Sequence, residues 1–407
     1  MRTNMQDGGW SATRLERLHR VMSGYVERGE VPGLVLLLSR YGALHTHVLG
    51  CASRESRAPM QRDTLFRITS MTKPVTAVAA MILVEECTLR LDEPVDRWLP
   101  ELANRRVLRQ IDGPLEDTVP ARRAITLRDL LTFRLGFGMV VGDFGSTPIQ
   151  KAIRALQLTG FGPPDPATPH SPDEWLRRLG TLPLMVQPGE RWLYNTGSSV
   201  LGVLIARACG QPLERFMRER IFEPLGMTDT AFSVPPEKLN RLAASYWPNA
   251  RTGALDRYDG VHNSAWSQPP AFPDGACGLI SSIDDYHAFA QMLLLHGQAG
   301  ESRILSRLSV QTMITDQLTP AQKAVSGLLP GQFDSRGWGF GVCVVTARDD
   351  LCAVPGRYGW DGGYGTTWWS DPDEDLIGIL MTQRSAFPQF SGVYLDFWTS
   401  VYQAIDD

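Results

Sequence analysis

The stretch from Phe66 to Glu86 constrains this chain most. Met71, Val75, Val78, Met81 and Ile82 recur at helical spacing, and no charge interrupts the run between Lys73 and Glu85. A helix that apolar is buried, so it runs through the middle of the molecule and the rest packs around it. Pro74 fits only a first turn, where its missing N–H would have no partner. That places Ser70 at the helix start and Lys73 one turn inside. Residues three apart share a helix face, so hydroxyl and amine meet at the mouth of a buried helix. A serine is a weak nucleophile that needs an adjacent base. A desolvated lysine loses part of its preference for the charged form. The free N–H groups and positive dipole end of the helix suit a developing oxyanion. The plainer reading of the same residues is a Ser cap and a snorkelling Lys.

Composition sets the frame for that helix. With 407 residues, 43% of them hydrophobic, the chain can bury a large core in two subdomains. A net charge of -4 without a basic block argues against a nucleic-acid partner. Lysine is avoided: only Lys73, Lys151, Lys238 and Lys323 stand among the 40 basic residues, which sharpens interest in Lys73. Cys51, Cys87, Cys209, Cys277, Cys343 and Cys352 form no C-x-x-C pair and read as reduced thiols of a cytoplasmic protein. Met1 to Trp10 is polar, and no apolar run reaches the roughly 18 residues of a membrane span, so no membrane association is expected.

Along the chain, Ser11 is placed to cap a helix to about Arg28 with Leu15, Leu18, Val21, Met22 and Tyr25 on one face. Leu34–Ser39 and Leu44–Leu49, joined at Tyr41-Gly42, read as a hairpin. His45 and His47 share a face of its second strand. With no third ligand nearby, a solvated face is a better reading than a metal pair, and no metal is expected. Helices are expected around Ile125–Phe133, Asp173–Leu179, Ser198–Ala208, Leu213–Phe222 and Ile283–His296. The Gly-, Pro- and Thr-rich segment from about Phe144 to Pro172 reads as a lid or binding loop. Strands return at Gly337–Val345, Tyr358–Trp360, Thr366–Ser370 and Leu376–Thr382, before a closing helix from Val393. The fold class is therefore α+β: an antiparallel sheet built from both termini, flanked by helices, with a mainly helical subdomain inserted. Residues 1–68 and 270–407 would form the sheet subdomain and 69–269 the helical one.

Two further stretches carry chemistry. Tyr194 sits where Pro188–Ser198 breaks from a polar loop into a helix. A phenol beside an ammonium ionises more easily and can pass protons to and from Ser70. A Tyr that merely packs its ring is the bland alternative. Tyr358-Gly359-Trp360-Asp361-Gly362-Gly363-Tyr364-Gly365 is a glycine-dense strand approach. Glycine there admits a ligand or a second backbone, and a backbone N–H is available to complete an oxyanion hole with that of Ser70.

Taken in this order, the three motifs resemble the serine β-lactamase and penicillin-binding-protein superfamily, nearest to class C β-lactamases and family VIII carboxylesterases. The resemblance runs from about residue 12 to 404. It implies a β-lactamase-like fold, Ser70 as the acylated nucleophile, Lys73 and Tyr194 as proton carriers, and the N–H groups of Ser70 and Gly363 as the oxyanion hole. Two departures stand out. The tyrosine motif reads Tyr194-Asn195-Thr196 rather than Tyr-x-Asn. Trp360-Asp361-Gly362 replaces Lys-Thr-Gly, whose cation binds a substrate carboxylate, although Arg357 is close enough in sequence to restore some positive charge. An indole and an acid lining that end disfavour anionic substrates.

The expectation is a serine hydrolase cleaving small neutral carboxylic esters, without cofactor and with a small-molecule partner only. A β-lactamase, D-amino-acid peptidase or acyltransferase on the same machinery is the alternative within the class. A non-catalytic binder on the same fold is the alternative outside it. A Ser-His-Asp esterase lacks its G-x-S-x-G elbow here. The acyl and alcohol preference and the oligomeric state are not legible in the sequence.

Overall fold

The computed structural model describes residues 8–139, 147–158, 169–386 and 389–406. Strands from both ends of the chain build one antiparallel sheet. Its strands are β1 (Gly33–Arg40), β2 (Ala43–Gly50), β3 (Arg336–Trp338), β4 (Cys343–Val345), β5 (Tyr358–Gly362), β6 (Thr366–Asp371) and β7 (Leu376–Thr382). The order across the sheet is β3-β4-β5-β6-β7-β1-β2. Tyr41 and Gly42, both at positive φ (50° and 80°), close the β1–β2 hairpin with the twist that two-residue turns favour.

β1 is buried over its whole length because both faces of the sheet are covered. Val35 and Leu37, with Trp368, Ile377, Ile379 and Met381, join the main core, which also holds the central helix α2 (Thr72–Glu85). Leu34, Leu36 and Leu38, with Trp369, Leu376 and Leu380, face α1 (Ala12–Glu27) and the C-terminal helix α5 (Val393–Gln403). Between them in sequence, α3 (Thr196–Cys209) packs on α2, and α4 (Ile283–Leu294) packs on the sheet. α2 is buried from Thr72 to Leu83, as its charge-free sequence demands.

Three expectations need correction. Gly337–Val345 is a hairpin, not one strand, because the chain turns at Gly339-Phe340-Gly341. Gly341 has φ 74°, and a Cβ there would lie 2.8 Å from the Lys73 carbonyl oxygen, so the turn is pressed against α2. The segment read as a loop from about Phe144 to Pro172 contains a helix, Pro148–Ala155, capped by Thr147; residues 144–146 and 159–168 of it lie outside the described residues. His45 and His47 are half-buried and do not form a solvated face. They pair with Leu38 and Leu36, whose face α1 covers, and a third histidine meets them there.

His19 of α1 stacks on His47 with ring centroids 4.0 Å apart and on His45 at 4.8 Å. The Nε2 atoms of His19 and His45 lie 2.7 Å apart, so one donates and the other accepts, and both cannot be protonated at once. Parallel rings do not converge their lone pairs on one ion. Burial holds all three imidazoles below their ordinary range; the nearby Glu16 carboxylate partly opposes this at His19. The folded state therefore takes up fewer protons here than the unfolded chain. This contribution to stability is complete above a pH of about 6.5 and is lost as pH falls below it. Denaturant unfolding at pH 8 and pH 5 should show weaker stability at pH 5, and His19→Asn/His45→Asn/His47→Asn should flatten the dependence. An unchanged slope in that variant would refute the assignment.

Candidate active site

The turn that carries Ser70 is built from a short strand and a tight coil. Phe66–Arg67 pairs with Ile280–Ser281, then Thr69–Met71 makes a single 3₁₀ turn into α2. Thr69 sits at φ 43°, where a β-branched residue is strained, and the Met71 N–H returns to the Ile68 carbonyl at 3.0 Å. Ser70 is half-buried at the top of this turn, two residues before the helix proper. Lys73 is fully buried. Its Nζ donates to Ser70 Oγ at 3.0 Å and to the Ala276 carbonyl at 2.8 Å, and stands 4.6 Å from the centroid of the Tyr194 ring.

The sequence did not single out Ala276 or the residues that hold it. The Thr76 hydroxyl donates to the Gly275 carbonyl at 2.7 Å, while Asp274 accepts from Ser199 at 2.7 Å and from the Ala276 N–H at 2.9 Å. Arg67 was missed too. It is buried, donates to Asp259, to Ser264 at 3.1 Å and to the Ala243 carbonyl at 2.5 Å, and lies over Trp266. This braces the strand that delivers Ser70. An Arg three residues before an S-x-x-K was the available signal.

Tyr194 is aimed by a strained neighbour. Asn195 adopts φ 82°, ψ -62°, and the Thr196 N–H closes back on the Tyr194 carbonyl at 3.2 Å, a three-residue turn rare in proteins. The Met139 N–H takes the same carbonyl at 2.9 Å. A Cβ on Gly138 would lie 2.6 Å from that oxygen, so only glycine admits this approach. The Tyr194 ring is 7% exposed and packs on Trp192 and Phe133, 5.3 and 5.6 Å away. Its hydroxyl accepts a hydrogen bond of 2.6 Å from Trp360 Nε1. Indole N–H only donates, so the phenol proton points elsewhere. Among the described residues no hydrogen bond joins Tyr194 to Ser70 or Lys73; the ring face, not the oxygen, meets the ammonium. In sites without substrate, hydrogen bonds between reacting groups are often long and tighten in the complex.

The third stretch divides between two faces of the sheet, because successive strand residues alternate. Trp360 points to the Ser70 side. Asp361 points to the other: it accepts from the Thr367 hydroxyl at 2.5 Å and from Trp369 Nε1 at 3.1 Å, and burial pushes its carboxyl above the ordinary range. Asp361 therefore does not line the cleft, contrary to expectation. Arg357 is also on that far face, with its guanidinium 4.0 Å from the Trp398 ring and 4.8 Å from Trp369, so it restores no charge at the cleft. Gly362 lies against the turn that carries Ser70, where a Cβ would come 2.4 Å from the Ile68 carbonyl oxygen. Gly363 follows, half-exposed, its carbonyl held by the Ala386 N–H at 2.9 Å. A cavity of about 460 Å³ lined by Leu65, Phe222, Met227 and Val234 lies apart from this constellation.

An antiparallel sheet from both termini, with a Ser-x-x-Lys turn entering a buried helix beneath it, defines the class of the serine β-lactamase fold. Residues 18–396 match the Beta-lactamase family, and the chain belongs to it. Protein Rv1367c of Mycobacterium tuberculosis is 41% identical over 368 residues, covering 88% of this chain and 87% of that one. Esterase EstB of Burkholderia gladioli is 30% identical over 404 residues, covering 94% and 93%. Among solved structures, EstCE1, described as a hydrolase with promiscuous acyltransferase activity, superposes with a TM-score of 0.77 at 24% identity, covering 96% of this chain and 98% of that one. The family resemblance read from the motifs is thereby established.

The face assignment is open to test. Asp361→Ala should cost about 1–3 kcal/mol of unfolding free energy by stranding the Trp369 and Thr367 donors. It should leave the preference between neutral and anionic substrates unchanged. A shift in that preference at unaltered stability would put Asp361 back in the cleft.

Proposed function

We propose that this chain is a serine hydrolase that cleaves small neutral carboxylic esters through an acyl-enzyme on Ser70. Ser70 Oγ bonds to the ester carbonyl carbon while its proton passes to the Tyr194 oxygen, which acts as phenolate beside the Lys73 ammonium. The acyl C–O bond then breaks, and the alkoxide leaves as the alcohol with the proton that Tyr194 returns. The N–H groups of Ser70 and Gly363 receive the oxyanion. Water, deprotonated by Tyr194, releases the acid and restores Ser70. No cofactor is required. Membership of the Beta-lactamase family supports acyl-transfer chemistry, and the esterase name of EstB supports esters.

The observation that carries the ester reading is the 2.6 Å bond from Trp360 Nε1 to the Tyr194 hydroxyl. A neutral donor occupies the place where the lactamase motif has an ammonium. The loss of one charge-assisted bond to a substrate carboxylate is worth roughly 1.5–3 kcal/mol. That is about a tenfold to hundredfold handicap against penicillins. The alternative in which the acyl group passes to an alcohol instead of water is supported by the promiscuous acyltransferase activity for which EstCE1 is described. Among the described residues no helix is long and apolar enough to cross a membrane, and all six cysteines are unpaired, which supports a reducing, cytoplasmic setting.

Ser70→Ala should abolish hydrolysis of p-nitrophenyl butyrate and labelling by a fluorophosphonate, with the fold intact. Lys73→Ala and Tyr194→Phe should each lose at least about a hundredfold in kcat, and the double variant little more, because such groups act as a unit. Independent, multiplying losses would mean that the two do not share a proton path. Trp360→Lys should move the kcat/KM ratio of butyrate ester to penicillin toward the lactam. A natural enzyme that already prefers the penicillin would defeat the ester reading.

A further inference from the structure

We propose that the rim beyond Tyr194 is a binding site for an aliphatic alcohol portion of the ester, of medium chain length. This rests on the ester reading above. Tyr194 returns the proton to the leaving oxygen, so the alcohol must lie on the Tyr194 side of the scissile bond and away from Gly363. Three observations make that side apolar.

The first is Met139, whose backbone is bonded to Tyr194 and whose side chain is 38% exposed. The second is the segment Pro320–Phe333, which is clamped onto the Pro188–Tyr194 loop. The Trp192 N–H donates to Ser326 Oγ at 2.9 Å, Gln322 Nε2 to the Gly189 carbonyl at 2.6 Å, and the Phe333 ring stands edge-on to Trp192 at 5.3 Å. From this clamp Val325 and Leu329 project, 48% and 61% exposed. Three of the ten exposed large apolar side chains among the described residues are thus fixed to the backbone that carries Tyr194. Single exposed apolar residues are ordinary, but a group beside a reactive site marks where an apolar ligand is received.

The third observation concerns charge. The two cations of the clamp are engaged: Arg191 donates to the Val325 carbonyl and Lys323 pairs with Asp316 at 2.5 Å. Among the described residues neither is left as an open charge beside Val325 and Leu329, which disfavours an anionic alcohol. Catalysis is unchanged in its balance: the acyl C–O bond breaks, the alcohol takes the proton from Tyr194, and the chain it carries lies along Met139, Val325 and Leu329.

The test compares octyl acetate with ethyl acetate, below the micellar limit, by acid release. The kcat/KM ratio should favour octyl acetate by about tenfold or more, since each buried methylene adds to binding. Val325→Ser/Leu329→Ser should cut that ratio about fivefold, while Val325→Ile/Leu329→Met should keep it. The ratio of p-nitrophenyl octanoate to acetate, where the chain is on the acyl side, should not follow. A ratio near one, or one that the serine variant leaves unchanged, overturns the proposal. If neither acetate is turned over, the ester reading has failed. Quenching of tryptophan fluorescence by 1-octanol then decides the rim, because equal titrations for the natural chain and the serine variant overturn it. Loss of binding to phosphatidylglycerol vesicles at an unchanged ester ratio would make the patch a lipid contact and also overturn it.

Discussion

The site depends on one buried ammonium. Lys73 is 0% exposed, and a charge taken out of water is costly unless hydrogen bonds replace its hydration. Among the described residues no carboxylate pairs with it. Its partners are the Ser70 hydroxyl, the Ala276 carbonyl and the face of the Tyr194 ring. These come from the turn that carries Ser70, from the loop before α4, and from the loop before α3. Solvating one amine thus brings three remote segments together, and neutral acceptors position it without holding its charge in an ion pair. The same need explains why Asp274 and Thr76 are spent on backbone atoms: they fix the carbonyl that fixes the lysine.

Two strained residues complete the geometry. Thr69 and Asn195 stand at positive φ immediately before Ser70 and immediately after Tyr194. Such conformations persist only where the surroundings over-determine them. Around Thr69 that role falls to the buried Arg67–Asp259 pair and to Gly362 pressed against Ile68 and Thr69. Around Asn195 it falls to the aromatic packing of Tyr194 and to the Met139 bond. Breaking a buried ion pair strands a charge, so the Arg67–Asp259 brace is costly to lose and holds the turn firmly.

What the sequence makes legible follows from periodicity and spacing. The charge-free run after Lys73 allows only a buried helix, and Ser70, Lys73 and Tyr194 do come together around its start. The strands at Leu34–Ser39 and Leu376–Thr382 read correctly because both faces of their sheet are covered and their apolar runs are nearly unbroken. Failures occur where a contact distant in sequence decides. Gly341 looks like a strand residue until the close approach of α2 forces a turn there. His45 and His47 look solvated until α1 brings His19 onto them. Ala276 contributes only a carbonyl, which leaves no trace in residue type. Asn195 owes its place to a backbone angle that composition does not encode.

The third motif shows how a one-residue period sorts two substitutions that look like a unit. Trp360 and Asp361 are adjacent, and read together they suggest a cleft end that is both bulky and acidic. In a strand they cannot share a face. Only the indole reaches the cleft, where its single N–H donor meets the Tyr194 hydroxyl and leaves no hydrogen bond for a substrate carboxylate. The acid instead satisfies Thr367 and Trp369 between the sheet and α5, beside an Arg357 enclosed by Trp369, Trp398 and Tyr402. The charged groups near this motif are thus removed to the far face of the sheet. What remains at the cleft is a neutral donor on an aromatic wall, so the proposed selection against anions rests on the lost cation and not on repulsion by an acid.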